Sequence, residues 1–255
     1  MTHGSLFSGI GGFDLAARWM GWENIFHVEC DPFCRQVLAH HFPKSQSFDD
    51  VKTFDATPFR GRLRVLSGGF PCQPFSAAGK RAGTSDDRYL WPQMFTIIRE
   101  ARPTYVVAEN VRGLLSWNDG MVLDTVCADL ESEGYEVFPV VLPAASVNAP
   151  HRRDRVWIVA TDANGQVLEH RNGKGTPGRS ADAPKRIESS DGPRSWKAFP
   201  TVPPICCGDD GLSLGLDGIT FPRWRRESIK AYGNAIVPQV AYQIFRALES
   251  PDSIH

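Results

Sequence analysis

The feature that most constrains this chain is an alternation, sustained over its first 160 residues, between short β-rich runs and amphipathic helical stretches. Residues 4–7 read as a strand ending in the turn Gly9-Ile10-Gly11-Gly12, and residues 13–20 follow with Phe13, Ala16, Ala17 and Met20 on one side of a helix. A strand over 25–28 precedes a helix over 32–42, where Phe33, Val37 and His41 repeat at helical intervals. Further strands are predicted at 64–66, 104–108, 137–142 and 156–160, with helices over 91–101 and 121–134 between them. Strands alternating with helices build a mostly parallel sheet covered on both faces, so the fold class is α/β. In such sheets ligands gather at the carboxyl ends of the strands, and the unusual residue clusters are expected there.

The alternation stops after Asp162. Residues 163–218 are rich in Gly, Pro, Ser, Asp and Arg and show little periodicity; regularity returns at Glu227, and residues 237–248 form a closing helix. The division expected is therefore a catalytic unit from 1–162 and 226–255, with a short irregular region, 163–225, between its two parts. Net charge is −1 over 255 residues, yet it is unevenly spread: 13 Lys+Arg against 17 Asp+Glu in 1–150, then 14 against 10 in 151–230. A mildly basic segment after a mildly acidic body suits a face turned toward phosphates, although a solvated mixed surface explains the charge equally well. No cationic start followed by an apolar stretch marks a secretory signal, and no apolar run nears the ~20 residues that span a bilayer. The protein is expected to be soluble, cytoplasmic and free of membrane. Six cysteines without a C-x-x-C spacing argue against a disulfide scaffold and against zinc, so no metal is expected.

Six sites carry chemistry. Ser8-Gly9-Ile10-Gly11-Gly12 lies between a strand and a helix, where glycines let the backbone approach a ligand; alone it is weak evidence. The next strand ends in Glu29, an acid placed as in sheets that bind ribose hydroxyls, and the incomplete glycine fingerprint favours a mononucleoside over a dinucleotide. Asp50, one turn later, suits either an adenine amino group or a helix cap. Gly68-Gly69-Phe70-Pro71-Cys72-Gln73-Pro74 sets a thiol between two prolines in a stiff loop, a setting for a nucleophile rather than a structural cysteine. Glu109, after an apolar strand, reads as a proton donor raised by desolvation, or as a cap or salt-bridge partner. In Pro150-His151-Arg152-Arg153-Asp154-Arg155, alternation along an extended segment points Arg153 and Arg155 the same way, toward a phosphate or carboxylate.

Together and in this order, these segments resemble the cytosine-5 DNA methyltransferase family, over roughly residues 4–160 and 226–248. Tyr232-Gly233-Asn234-Ala235-Ile236-Val237-Pro238 looks like that family's last motif, which folds back beside the first. The resemblance implies a Rossmann-like S-adenosylmethionine-dependent methyltransferase fold with a mixed, mostly parallel sheet and a small irregular target-recognition region. It implies cofactor binding by Phe7, Ser8, Gly9, Gly11, Gly12, Glu29, Cys30, Asp50, Val51, Pro71, Leu90, Asn234 and Ala235. Cys72 would be the nucleophile, Glu109 the group engaging N3 of cytosine, and Arg155 its partner with Arg153 beside it. The partner would be double-stranded DNA with the target base flipped from the helix, and the protein a nucleoid-associated monomer.

The chain departs from the family pattern in two places: His151 stands where Gln is usual, and the region 163–225 is short, with no arginine-containing segment evident before the tail motif. Rival readings are a tRNA cytosine-5 methyltransferase, a non-catalytic DNA-binding relative, and a nicotinamide oxidoreductase. The intact trio Cys72, Glu109 and Arg155 speaks against the second, and the incomplete glycine fingerprint against the third.

Overall fold

A computed structural model describes residues 1–71, 89–163 and 224–249. Among these, seven strands form one sheet in the order β3-β2-β1-β4-β5-β7-β6. They are β1 (Thr2–Leu6), β2 (Glu23–Val28), β3 (Gln46–Phe48), β4 (Val65–Gly68), β5 (Tyr105–Val111), β6 (Tyr135–Pro143) and β7 (Asp154–Asp162). The first five are parallel, and β7 lies antiparallel between β5 and β6. This is the mixed, mostly parallel Rossmann-like sheet expected from the sequence.

β1 and β4 occupy the middle because their buried residues are apolar or small, apart from His3, whose ring nitrogens meet Asn24 and Ser67. His3 to Leu6 and Val65 to Gly68 are all buried, as strands covered by helices on both faces must be. Helices α1 (Gly12–Trp19) and α6 (Pro238–Glu249) cover one face, burying Phe13, Ala17, Val107, Trp157 and Phe245 together. Ala16 and Ala17 are fully buried, small enough for α1 to sit close on the sheet. Helices α3 (Trp91–Ala101) and α4 (Met121–Ser132) cover the other face over Leu6, Leu66, Met94, Ile98 and Ala108. α2 (Pro32–His41) starts on an Asp31 cap, with Pro32 in its first turn.

The tail, α5 (Trp224–Asn234) and α6, returns to the start of the chain. Phe245 stacks on Trp22 at 4.7 Å between ring centroids, and Trp22 donates its indole N–H to Glu249. Truncating such a fully buried phenylalanine costs about 3–5 kcal/mol, so this seam holds the two ends of the described chain together.

Four elements differ from the sequence reading, the first being α5, in a stretch where no helix was predicted. β3 was not expected: its three residues, Gln46, Ser47 and Phe48, are exposed or half-buried and show no apolar run. β5 runs on to Val111, so Glu109 and Asn110 lie within the strand rather than after it. β7 is antiparallel, so the arginines preceding and opening it reach the carboxyl edge of the parallel strands from the amino end of their own strand.

Candidate active site

The carboxyl edge of β1 and β2 carries the glycine turn. Phe7 leaves the strand at φ 51°, in the left-handed region that a phenylalanine seldom adopts, and Gly9 (φ 54°) and Gly11 (φ 85°) continue the reversal. Among the described residues, nothing lies within 4 Å of where a Cβ on Gly9 would stand, so they leave open space beside the turn there. Glu29 is buried beside it: Oε2 accepts from the Gly9 N–H at 2.7 Å and Oε1 from the Asp31 N–H at 2.8 Å. A carboxylate pinned by two backbone amides at the end of β2, beside an open glycine turn, fits a nucleoside with paired ribose hydroxyls.

The tail closes one side of this turn. A Cβ on Gly12 would lie 2.6 Å from Cγ1 of Ile236, so only glycine lets the tail seat here. Lys230 Nζ pairs with Asp31 Oδ2 at 2.8 Å, and Ala231 packs against Phe33, Cys34 and Val37 of α2. Asn234 ends α5, and Ala235 follows with its N–H bonded to the Ala231 carbonyl.

At the carboxyl edge of β4 and β5 sits the second group. Val111 pairs with Arg155 across the ladder, and Glu109 is two residues from Val111 on the same face. The guanidinium of Arg155 therefore reaches the Glu109 carboxylate diagonally, Nε to Oε1 at 2.9 Å. Burial lifts the Glu109 pKa to about 7 and outweighs the opposing pull of Arg155 and Arg153. The result is an acid able to hold a proton near neutrality while a guanidinium fixes its direction.

Arg153 does not follow the expected alternation. Its φ is 36°, and β7 begins only at Asp154, so it is a left-handed residue before the strand rather than an extended one. Its guanidinium still lies on the Arg155 side, but it donates to the Gly233 carbonyl at 3.3 Å and the Ala235 carbonyl at 2.6 Å. Arg153 thus ties the tail to the Glu109 group. Arg152 turns outward and pairs with Asp154 at 3.0 Å.

The segment leading to Cys72 is held against the same carboxylate. A Cβ on Gly69 would lie 3.4 Å from Glu109 Oε2, and Asn110 Nδ2 donates to the Phe70 carbonyl at 2.9 Å. The Leu90 N–H donates to the Pro71 carbonyl at 3.3 Å, bringing together two of the expected cofactor residues. Cys72 itself, and nearly all of the region 163–225, lie outside the described residues.

Of the other expected residues, Ser8 is buried beneath the turn, Cys30 is exposed beside Glu29, and Val51 is half-buried against the core of the α3–α4 face. Asp50 Oδ1 accepts the Lys52 N–H at 2.8 Å within a turn; no helix begins there, so the helix cap weighed from the sequence does not form. Sequence reasoning missed Asp31 and Lys230, a surface acid and lysine by composition, and the buried pair Ser5 and Asp14. Asp14 carried one signal, a carboxylate in the apolar stretch that opens α1.

A family model described as C-5 cytosine-specific DNA methylase matches residues 1–191. The type II methyltransferase M.Eco47II of Escherichia coli is 38% identical over 158 residues, covering 61% of this chain and 38% of that protein. M.NgoBI of Neisseria gonorrhoeae, also a type II methyltransferase, is 35% identical over 160 residues, covering 62% of this chain and 50% of that protein. The chain thus spans half or less of the length of these relatives. Among solved structures, the S. pombe Dnmt2 methyltransferase shares the fold at a TM-score of 0.54 and 21% identity, covering 65% of this chain and 52% of that one. With a match over three quarters of its length, the chain belongs to the C-5 cytosine-specific DNA methylase family.

Proposed function

We propose that the protein transfers a methyl group from S-adenosylmethionine to C5 of cytosine in duplex DNA. The observation that carries this reading is the convergence of a buried, near-neutral Glu109, its Arg155 partner and the Gly69–Pro71 approach to Cys72 on one edge of the sheet. Family membership and the kinship with type II methyltransferases support the same chemistry.

C5 of cytosine is a poor nucleophile within an intact aromatic ring. In this scheme the Cys72 thiolate adds to C6 and the ring electrons move toward C5, while Glu109 presents its proton to N3. The sulfonium of the donor supplies an electrophilic methyl. C5 takes that methyl as the donor's carbon–sulfur bond breaks. A solvent base then accepts the C5 proton, the thiolate leaves C6, and N3 returns its proton to Glu109, which restores the ring. Arg155 keeps the Glu109 carboxyl directed at the base, and Arg153 keeps the tail against that pair. The Gly9 turn and Glu29 hold the donor's nucleoside, aided by the remaining cofactor residues named from the sequence, and residues 163–225 read the target. The base leaves the stack to reach Cys72, at a cost of a few kcal/mol.

Cys72→Ser is expected to abolish methylation of duplex DNA while S-adenosylmethionine still binds by calorimetry. A duplex carrying 5-fluorocytosine is expected to form a complex with the wild-type protein that survives denaturing electrophoresis, because fluorine blocks loss from C5. Methylation retained in the Cys72→Ser protein rejects the nucleophile, and transfer to tRNA but not to duplex DNA rejects the substrate.

A further inference from the structure

Beneath the glycine turn lies a carboxylate that neither the reaction scheme nor the sequence reading uses. Asp14, in the first turn of α1, has no exposed surface. Its partner is the buried hydroxyl of Ser5 on β1, which donates to Oδ1 at 3.0 Å and Oδ2 at 2.9 Å. Ser5 Oγ also lies 2.7 Å from Ser8 Oγ. A serine hydroxyl has one hydrogen; while that of Ser5 is given to ionised Asp14, the Ser8 hydroxyl can donate to Ser5 Oγ, in competition with the Ser5 and Val28 carbonyls at 3.2 Å each. With that donation the chain of hydroxyls runs from Ser8 through Ser5 to the carboxylate.

Ser8 is the residue on which the turn is hung. Its N–H donates to the Val28 carbonyl at 3.2 Å, and its own carbonyl accepts the Gly11 N–H at 2.9 Å. The residue after Val28 is Glu29, whose carboxylate holds the Gly9 N–H. Asn24 Nδ2 donates to the Asp14 carbonyl at 2.8 Å, and His3 Nδ1 lies 2.6 Å from Asn24 Oδ1, so the same α1 turn is anchored to β2 and β1. Burial raises Asp14 to about 7 against the hydrogen bonds of Ser5 and its own amide. A carboxyl group kept in such a place, with no ion pair to it among the described residues, is a costly way to fill space.

We propose that Asp14 and Ser5 are positioning residues that fix, through Ser8, the glycine turn against which the methyl donor binds. The chain acts on the donor's nucleoside only through the backbone of residues 8–11, and it holds the turn in shape before the donor arrives. This inference rests on the donor occupying the Gly9 turn.

The experiment compares wild type with Asp14→Ala, Ser5→Ala and the conservative Asp14→Asn, which keeps an acceptor for Ser5. Amide hydrogen exchange without donor is expected to quicken about tenfold at Gly9 and Gly11 in both alanine variants, and to stay unchanged in β5 and α3. Calorimetry is expected to show S-adenosylmethionine binding about tenfold weaker in both, with kcat within about twofold of wild type. Asp14→Asn restores most of both effects, and the double alanine variant is no worse than either single one, since both break one chain. Exchange unchanged at Gly9 and Gly11 overturns the proposal, as does exchange that quickens equally across the sheet. If wild type binds no S-adenosylmethionine, the donor site itself is misplaced; if wild type and variants bind it equally, only the Asp14 linkage fails.

Discussion

Arg155 reaches across the antiparallel β5–β7 ladder to hold Glu109, with Nε 2.9 Å from Oε1, from a strand whose direction is opposite to the five parallel ones. The reversal of β7 brings the amino end of one strand to the carboxyl edge of the others. A guanidinium and a carboxyl can meet there only because the sheet is mixed.

Removing either partner tests that arrangement. Glu109→Gln keeps the shape and a donor amide but loses the transferable proton, and methyl transfer in single-turnover assays is expected to fall about a hundredfold. Arg155→Ala leaves Glu109 buried and undirected, and the rate is expected to fall by a similar factor while S-adenosylmethionine binds as in wild type. Rates within about threefold of wild type in both variants contradict the assignment.

Titration of Glu109 bears on stability as well as rate. Its folded pKa, about 7, lies above the ordinary value of 4.5, so folding favours the protonated form. The stability this supplies is complete below about pH 4.5 and is lost as pH rises through 7. Gln at this position does not titrate. The melting temperature of Glu109→Gln relative to wild type is therefore expected to rise steadily between pH 5 and 8. A constant difference across that range rules out a raised Glu109.

Two buried histidines act in the opposite direction. Burial lowers both His3 and His27 to about 4 from 6.5, so their contribution is complete above pH 6.5 and is lost as pH falls toward 4. Both ring nitrogens of His27 are buried without a hydrogen-bond partner among the described residues. His27→Phe is thus expected to flatten the acid side of a melting-temperature profile, with no loss of stability at pH 7. An unchanged acid limb contradicts this.

Arg153 links the tail to the Glu109 group through the Gly233 and Ala235 carbonyls. Arg153→Ala is expected to destabilise by about 1 kcal/mol, since these bonds are partly exposed. It is also expected to raise protease sensitivity within α5 before any other described segment. Uniform sensitivity along the chain, or none, contradicts that link.

A Cβ on Gly12 would stand 2.6 Å from Cγ1 of Ile236, so the tail leaves no room for a side chain there. Gly12→Ala is expected to destabilise by about 1–3 kcal/mol through overpacking. Adding Ile236→Ala, which removes the clashing Cγ1, should recover part of that loss in urea unfolding. Additive losses in the double variant mean that the two residues do not meet.

The sequence by itself determined six of the seven described strands and five of the six described α-helices, because apolar periodicity and glycine placement are local properties. Trp91–Ala101 forms as its spacing predicts, and β1, β2, α1 and α2 fall within two residues of their expected ends. It also singled out Glu29, Glu109, Arg153 and Arg155, each at a junction where the pattern is interrupted by charge. The direction of β7, the left-handed turn at Arg153 and the union of Lys230 with Asp31 were decided only in three dimensions. Strand polarity depends on where a segment rejoins the sheet, and β7 turns back between β5 and β6 after the ten residues 144–153 that follow β6; Lys230 and Asp31 are 199 residues apart. Asp14 shows the same division most plainly: an acid in an amphipathic helix reads as a surface residue until the packing of α1 on β1 aims it at Ser5. Burial then turns an ordinary carboxylate into a group that holds the turn, because hydrogen bonds gain strength where water is excluded.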